Sequence, residues 1–542
     1  MNKTFIVANY IILRQLGGAK KKWTTLDHNG VLFPPEYEKH NVPVFYKNQE
    51  IILEKDPEEF ATLYAKYLET DYIKNRVFNR NFWNDWKKIL GKNHVIQSLE
   101  DVDFGPIHNY LLRQKEEKKA NPIDKSIRQA EEEKYKYAIM DGKKQPVGNF
   151  RIEPPGIFLG RGCNPKLGKI KPRIYPEDII INIGKEAKIP EPLPGHRWRD
   201  IIHDQTVEWL ASWIDEVTGK NKYVWLGAQS ELKAASDIAK FDLARKLKRR
   251  IKSIREDNEK NMVSNDPFTR QIATALYFID KFALRVGNEK AEDETDTVGV
   301  TSLRNEHIEL LDNNNVKLDF LGKDSVRYNR TLSVDPQVYT NLREFKSDKA
   351  GSENLFDLIT SNDINKYLQG FMKNLTAKVF RTYNASYLFQ KELKKITSKY
   401  ENYELSDKIN ILLDEFNKAN AKVAMLCNHQ KNVNSSTNKQ IENLDRMIKN
   451  ARQKLQKAKK SKKKNPSKIA KMEQILKKLK AKKLLKIELK NISLGTSKIN
   501  YIDPRISIAF LKKNNLPVDK IFSKTLQEKF KWAMDVDTDF VF

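Results

Sequence analysis

Residues Gly162–Ile170 (GCNPKLGKI) hold the ingredients of a phosphate-cradling loop, glycines beside lysines. The spacing fails, because five residues rather than four separate Gly162 from Gly168, and Ile170 stands where a Ser or Thr would have to ligate magnesium. Arg161, between Gly160 and Gly162, could set a guanidinium and bare backbone amides against a phosphate, yet the same three residues serve equally as a surface turn. The sequence offers no cradle for a metal: Cys163 and Cys427 are its only cysteines, HExxH is missing and the eight histidines are scattered. Spacing alone does not select Tyr501 from twenty tyrosines. Arg285 could equally complement a helix C-terminus, Arg381 donate a salt bridge and His429 close a helix end.

The elements around these residues come from charge and periodicity. Of 542 residues, 99 are Lys or Arg and 71 Asp or Glu, a net charge of +28 that argues for a polyanionic partner. A 39% hydrophobic content excludes wholesale disorder, and the length suits three or four domains. Two cysteines build no disulfide framework, so the chain reads as intracellular. No apolar run reaches the roughly 18 residues of a membrane span, and Phe5–Leu13, broken by Asn9, is expected to be an N-terminal strand.

Residues 439–490 carry 20 Lys/Arg against four acids, +16 of the total. Within them Ile441, Leu444, Ile448, Ala451, Leu455 and Ala458 recur at alternating spacings of three and four, and Ile469, Met472, Leu476 and Leu479 repeat the pattern. The polar run Lys460–Ser467 with Pro466 breaks the helix, predicting two antiparallel coiled-coil arms that are basic outside, with a solvated spacer as the plain alternative. Elsewhere, helices are expected at Asp56–Leu68 and Asn79–Leu90, with Trp23, Trp83 and Trp86 available for a core, and residues 111–140 form a charged helical lever between lobes. Loops dominate Ile152–Pro194 apart from a short buried strand at Asp178–Asn182. Asp266-Pro267 starts a helix that Gly287 ends, placing Arg285 in its last turn. Val316, Leu318 and Phe320 alternate toward a turn at Gly322–Ser325, giving a hairpin with Lys323 at its tip. Helices fill most of 363–429 and follow Tyr501. The class is mixed α+β, mostly helical.

Five stretches taken together carry a resemblance: Ala283–Lys290 (ALRVGNEK), Phe320–Tyr328 (FLGKDSVRY), Thr376–Ser386 (TAKVFRTYNAS), Leu426–Gln430 (LCNHQ) and Leu494–Ile506 (LGTSKINYIDPRI). In this order the chain closely resembles the eukaryotic-type DNA topoisomerase I family, the type IB topoisomerases, from about Lys20 to Phe542, including IEPPG at 152–156 and PEDIIIN at 176–182. The resemblance implies a catalytic set of Arg285, Lys323, Arg381, His429 and the nucleophile Tyr501, with Arg161, Asp324, Asn500 and Lys378 as DNA-binding positions, no cofactor and no metal. It further implies a two-lobed DNA clamp: a cap over residues 1–230 with residues 37–116 as a subdomain, a catalytic lobe over 231–433 related to tyrosine recombinases, a coiled-coil linker over 434–490 and a small helical C-terminal domain over 491–542. Double-stranded DNA is the expected partner of a monomer with no membrane association, and Arg161, Asp324 and Asn500 stand where the family contacts camptothecin-like poisons. The expected location is the nucleus, or a replication compartment or virion were the source a large DNA virus, as the richness in Lys, Asn and Ile allows.

The chain departs from the family's pattern at Leu159, where many relatives carry a basic residue, in a somewhat short arm, and in the little sequence before Lys20, where nuclear members often carry a long charged extension. A weaker grip on DNA is expected at the first two points, and the resemblance does not carry over import or docking by such a tail. The implied chemistry is attack by Tyr501 on a phosphodiester, Arg285, Arg381 and His429 stabilising the transition state and Lys323 protonating the leaving oxygen. The residues name no general base for the tyrosine. The rival readings are a tyrosine recombinase, which usually has His where Lys378 stands, and a DNA-architectural protein, which would have lost one of the five.

Overall fold

The computed structural model describes residues 21–120, 125–288, 290, 294–400, 408–431, 435–460 and 465–542. The expected strand at Phe5–Leu13 and the centre of the break between the basic arms lie outside them. Helices make up about half of the chain and the strands are short. The chain divides into two compact units, residues 1–236 with 291–296, and residues 237–290 with 297–542. Among the described residues no helix is long and apolar enough to cross a membrane.

The first unit has two apolar cores. In one, Arg76–Leu90 turns Phe78, Phe82 and Trp86, spaced four apart, onto a single fully buried face. Asn75 caps this helix by accepting from the Val77 and Phe78 amides, and the Trp86 indole donates to the Pro57 carbonyl at 3.0 Å. Tyr64 of helix Lys55–Ala65 stacks on Phe82 at 4.3 Å. Ile157, Leu167 and Ile170 complete this core from the Gly156–Lys171 region. The other core lies against a three-stranded sheet (Leu26–His28, Tyr137–Met140, Lys143–Pro146) and a four-stranded sheet in which Ile180–Asn182 pairs in parallel with Asp200–Ile202 and antiparallel with Trp209–Ile214. Trp23 belongs to this second core, so the three tryptophans grouped by sequence serve two cores. The charged segment read as a lever forms helices Gly105–Ala120 and Lys125–Glu133 and then enters the first sheet at Tyr137, so it stays within one unit.

The second unit is built on one large core. Helix Pro267–Lys281 begins as expected, with Asp266 accepting from the Phe268 and Thr269 amides, and buries Ile272, Leu276 and Ile279. Ile308–Leu311, Asn315–Gly322 and Val326–Ser333 form an antiparallel meander. Val316, Leu318 and Phe320 face inward, while Asp319 on the outer face takes a bidentate pair from Arg327 at 2.6 and 2.7 Å. Helices Ser361–Phe371, Ala377–Tyr400 and Lys408–Leu426 follow. Ser435–Lys460 and Pro466–Glu488 then run antiparallel, tied by Lys483–Asp445 and Lys459–Glu473 ion pairs, each at 2.5 Å. Leu444, Ile448 and Leu455 are buried along their seam. Leu494–Asn500 and Pro504–Lys513 return the chain to the main core, where Phe522, Phe530 and Phe542 are buried.

The first unit's stability should hinge on the buried aromatic face of Arg76–Leu90. Phe82→Ala is expected to cost about 3–5 kcal/mol in urea titration; a loss below 1 kcal/mol would show that the site collapses around the missing ring.

Candidate active site

Arg285 follows a helix that ends earlier than its sequence suggests. The last helical residue is Lys281, and the first left-handed residue after it is Ala283, with φ +50°, well before Gly287, whose φ is +92°. Arg285 therefore lies on irregular chain beyond the helix. A non-glycine residue in this conformation is strained by about 1 kcal/mol, and here the turn aims the Ala283 carbonyl at the Arg381 guanidinium, which donates to it. Beyond Arg285 the chain meets residues 298–301: the Val300 amide donates to the Arg285 carbonyl at 2.9 Å and the Val298 amide to the Leu321 carbonyl at 2.8 Å. The two segments cross at Gly287 and Gly299, where a Cβ on Gly299 would lie 2.5 Å from Gly287 Cα. This crossing sets Arg285 beside the end of the hairpin. At the hairpin tip, Lys323 is exposed and Asp324 and Ser325 take φ of +66° and +57°.

His429 is placed by a Schellman motif at the end of Lys408–Leu426. Asn428 is left-handed (φ +53°), its amide donates to the Met425 carbonyl, and the His429 amide donates to the Ala424 carbonyl at 2.8 Å. The His429 carbonyl accepts from the Ser493 amide, which opens helix Leu494–Asn500, and the imidazole Nδ1 meets Ser497 Oγ of that helix at 2.7 Å. Tyr501 follows as its C-terminal cap. The Tyr501 carbonyl accepts from Ser386 Oγ at 3.0 Å, and Ser386 Oγ accepts from the Asp503 amide. Asp503 in turn caps Pro504–Lys513 and holds Arg505.

Three of the residues implied by the resemblance, Arg285, Arg381 and His429, thus meet around the phenol of a fourth, Tyr501. Arg285 Nη1 donates to Tyr501 Oη at 3.4 Å. The Arg381 guanidinium lies over the Tyr501 ring, 5.0 Å from its centroid, and the His429 ring stacks against it at 5.2 Å. Lys323, Arg285, Arg381 and His429 also line one cavity of about 130 Å³. Arg381 is buried; its Nη2 donates to the Cys427 carbonyl at 3.0 Å, and its Nε is without a partner among the described residues. Burial, then repulsion from Arg381, holds Arg285 below the usual arginine range, yet a guanidinium stays charged at neutral pH. Burial, followed by Arg381 and Arg285, pushes the His429 pKa down to about 3, so the imidazole is neutral. Burial also raises the thiol of Cys427.

The remaining expected positions are more peripheral. Asn500 is exposed and donates to the Thr496 carbonyl at 3.1 Å. Lys378 is exposed on the first turn of Ala377–Tyr400, one turn before Arg381. Asp324 is exposed beside Lys323 and lines the same cavity. Arg161 belongs to the first unit, between Gly160 and Gly162 at φ +60° and +59°. Ser386, Ser493, Ser497, Gly287 and Gly299 carry no sequence signal for the parts they play. Gly287, Ser386 and Ser497 lie within the stretches that resemble the family, but a serine four residues before a tyrosine has no distinctive spacing.

Residues 21–226 match the family model for the DNA binding fragment of eukaryotic DNA topoisomerase I, 229–462 its catalytic core, and 473–542 the C-terminal topoisomerase domain. The chain is 44% identical to DNA topoisomerase 1 beta of Arabidopsis thaliana, an alignment covering 97% of this chain and 60% of that one. It is 42% identical to DNA topoisomerase 1 of Homo sapiens, covering 96% and 72%, and 42% identical to that of Caenorhabditis elegans, covering 96% and 68%. The chain thus spans about 60% of the length of its Arabidopsis relatives. It belongs to the eukaryotic DNA topoisomerase I family.

The neutral His429 makes a pH prediction. Its folded pKa of about 3 lies below the ordinary value of 6.5, so between these limits the unfolded chain binds a proton that the native chain does not, and stability falls as pH falls. Urea titrations at pH 6 and 4.5 should show His429→Gln losing less stability than the parent, by up to about 2 kcal/mol. Equal losses would mean that His429 is protonated in the fold.

Proposed function

We propose that this chain relaxes positive and negative supercoils in duplex DNA as a type IB topoisomerase. The observation that carries the reading is the cluster on Tyr501, with Arg285 at its oxygen and Arg381 and His429 on its ring. The Tyr501 oxygen attacks a backbone phosphorus, the bond to the 5′-oxygen breaks, and a 3′-phosphotyrosyl ester holds the strand while the free end rotates; the reverse step reseals it. The ester conserves the free energy of the original bond, so resealing needs no ATP. Arg285 and Arg381 offer fixed donors to the nonbridging oxygens, and neutral His429 adds one more. Lys323, on its exposed tip, delivers the proton that the 5′-oxygen takes on leaving. Asp324, Asn500, Lys378 and Arg161 contribute DNA contacts, and the first and second of these with Arg161 form the site for camptothecin-like compounds.

The same reading organises the chain as a cap over 1–230 with its subdomain at 37–116, a recombinase-related catalytic lobe over 231–433, a coiled-coil linker over 434–490 and a C-terminal domain over 491–542. The antiparallel pair with its buried Leu444, Ile448 and Leu455 supports the linker assignment. A monomer closing as a clamp on duplex DNA in the nucleus fits the +28 charge, and most contacts would go to phosphates.

Plasmid relaxation in EDTA without ATP tests the activity. The protein is expected to relax supercoils of both signs, and Tyr501→Phe to bind DNA without forming a covalent adduct in denaturant. Strict dependence on magnesium and ATP, or an adduct surviving in Tyr501→Phe, would overturn the reading.

The role of Lys323 is tested separately. Lys323→Ala should slow cleavage of ordinary DNA by about 10²- to 10⁴-fold, yet cleave a 5′-bridging phosphorothiolate at nearly the parent rate, because a thiolate leaves without a proton. Arg285→Ala should gain no such rescue. Equal slowing of Lys323→Ala on both substrates would assign Lys323 to phosphate charge instead.

A further inference from the structure

Ser497 is fully buried on the helix that ends at Tyr501, and its hydroxyl meets Nδ1 of His429 at 2.7 Å. The opposite ring nitrogen, Nε2, is buried without a hydrogen-bond partner among the described residues, and His429 lines the cavity shared with Lys323, Arg285 and Arg381. A neutral imidazole carries one proton, and which nitrogen holds it decides whether Nε2 can donate to an anion or only accept.

Each tautomer leaves one proton unpaired in the free protein, and the two differ in where it lies: on Ser497, which is fully buried and does not line the cavity, or on Nε2 of a ring that does. Were Nδ1 to donate to Ser497 Oγ, the serine proton would point into a buried region with no other acceptor bonded to it among the described residues. An orphaned buried donor is costly. With the serine donating to Nδ1, that proton is satisfied and the imidazole proton moves to Nε2.

We infer that Ser497 is a positioning residue whose hydroxyl donates to Nδ1 of His429 and so fixes the tautomer that presents an Nε2–H donor to the scissile phosphate. The inference rests on the proposed function for its phosphate, while the tautomer itself is a property of the free protein. It also gives the helix a double task, because Leu494–Asn500 supplies both the nucleophile at its end and, one turn earlier, the hydroxyl that orients the donor beside it. Ser497 touches neither substrate nor reacting atoms, so it acts only through His429.

The experiment uses the full chain in two measurements. In protein labelled with ¹⁵N-histidine, two-bond ¹H–¹⁵N spectra should show His429 as the Nε2–H tautomer, and Ser497→Ala should shift it toward a mixture. In single-turnover cleavage, Ser497→Ala should be roughly fivefold to tenfold slower with unchanged DNA affinity, Ser497→Thr should recover most of the rate, and in a His429→Gln background, where the amide donates without a tautomer, Ser497→Ala should have no further effect. An Nδ1–H tautomer in the parent protein, or a full additional loss in the His429→Gln background, would overturn the inference. A parent protein that cleaves no DNA would overturn the proposed function, and the spectra would still decide the tautomer.

Discussion

Two like-charged guanidinium groups, Arg285 and Arg381, are held in each other's field, and the groups that meet at Tyr501 are arranged around that repulsion. Neither makes an ion pair with a carboxylate among the described residues. Arg381 is instead solvated by the carbonyls of Ala283 and Cys427, and Arg285 by the tyrosine oxygen. A carbonyl dipole can stabilise a buried cation without cancelling its charge, whereas a carboxylate would have neutralised the field that reaches the cavity. Burial first, and this field second, keeps His429 uncharged, which spares the site a third positive group and leaves a neutral donor instead.

The carbonyls come from helix ends. Ala283 follows the cap of Pro267–Lys281 and Cys427 follows Lys408–Leu426, so Arg381 sits just beyond the C-terminal ends of two helices, near the negative end of each dipole. Tyr501 also sits where a helix stops. Helix termini suit this work because they leave carbonyls and amides unpaired within the helix, and side chains beyond them are freed from the helical face. The strain in the left-handed Ala283 is offset by the charged hydrogen bond it makes possible.

Much of the framework was legible in the sequence because its signals are local. The Asp266-Pro267 cap, the alternation through Phe320 and the seam at Leu444, Ile448 and Leu455 each depend on neighbours a few residues away. The end of the Arg285 helix was not legible: Gly287 offered the conventional stop, but the left-handed turn at Ala283 is sustained by a guanidinium 98 residues distant. Trp23 was grouped with Trp83 and Trp86 for a similar reason, since proximity in sequence does not tell which of two cores a ring will join. The chemical residues themselves were chosen by resemblance to a family's motifs rather than by spacing. Ser386 and Ser497 lie inside those motifs, but their parts were not legible, since a hydroxyl that orients another group has no pattern until its partner is in place.

The crossing of Gly287 and Gly299 bears on how variation in this chain is interpreted. Each contributes only a hydrogen where a methyl would overlap the opposite backbone, and the two segments so joined carry Arg285 on one side and hold the end of the hairpin on the other. Every nonsynonymous change at these codons inserts at least one carbon into that space. Loss-of-function screens would therefore rank two residues without functional groups alongside the nucleophile, and heredity would preserve them for the room they leave empty.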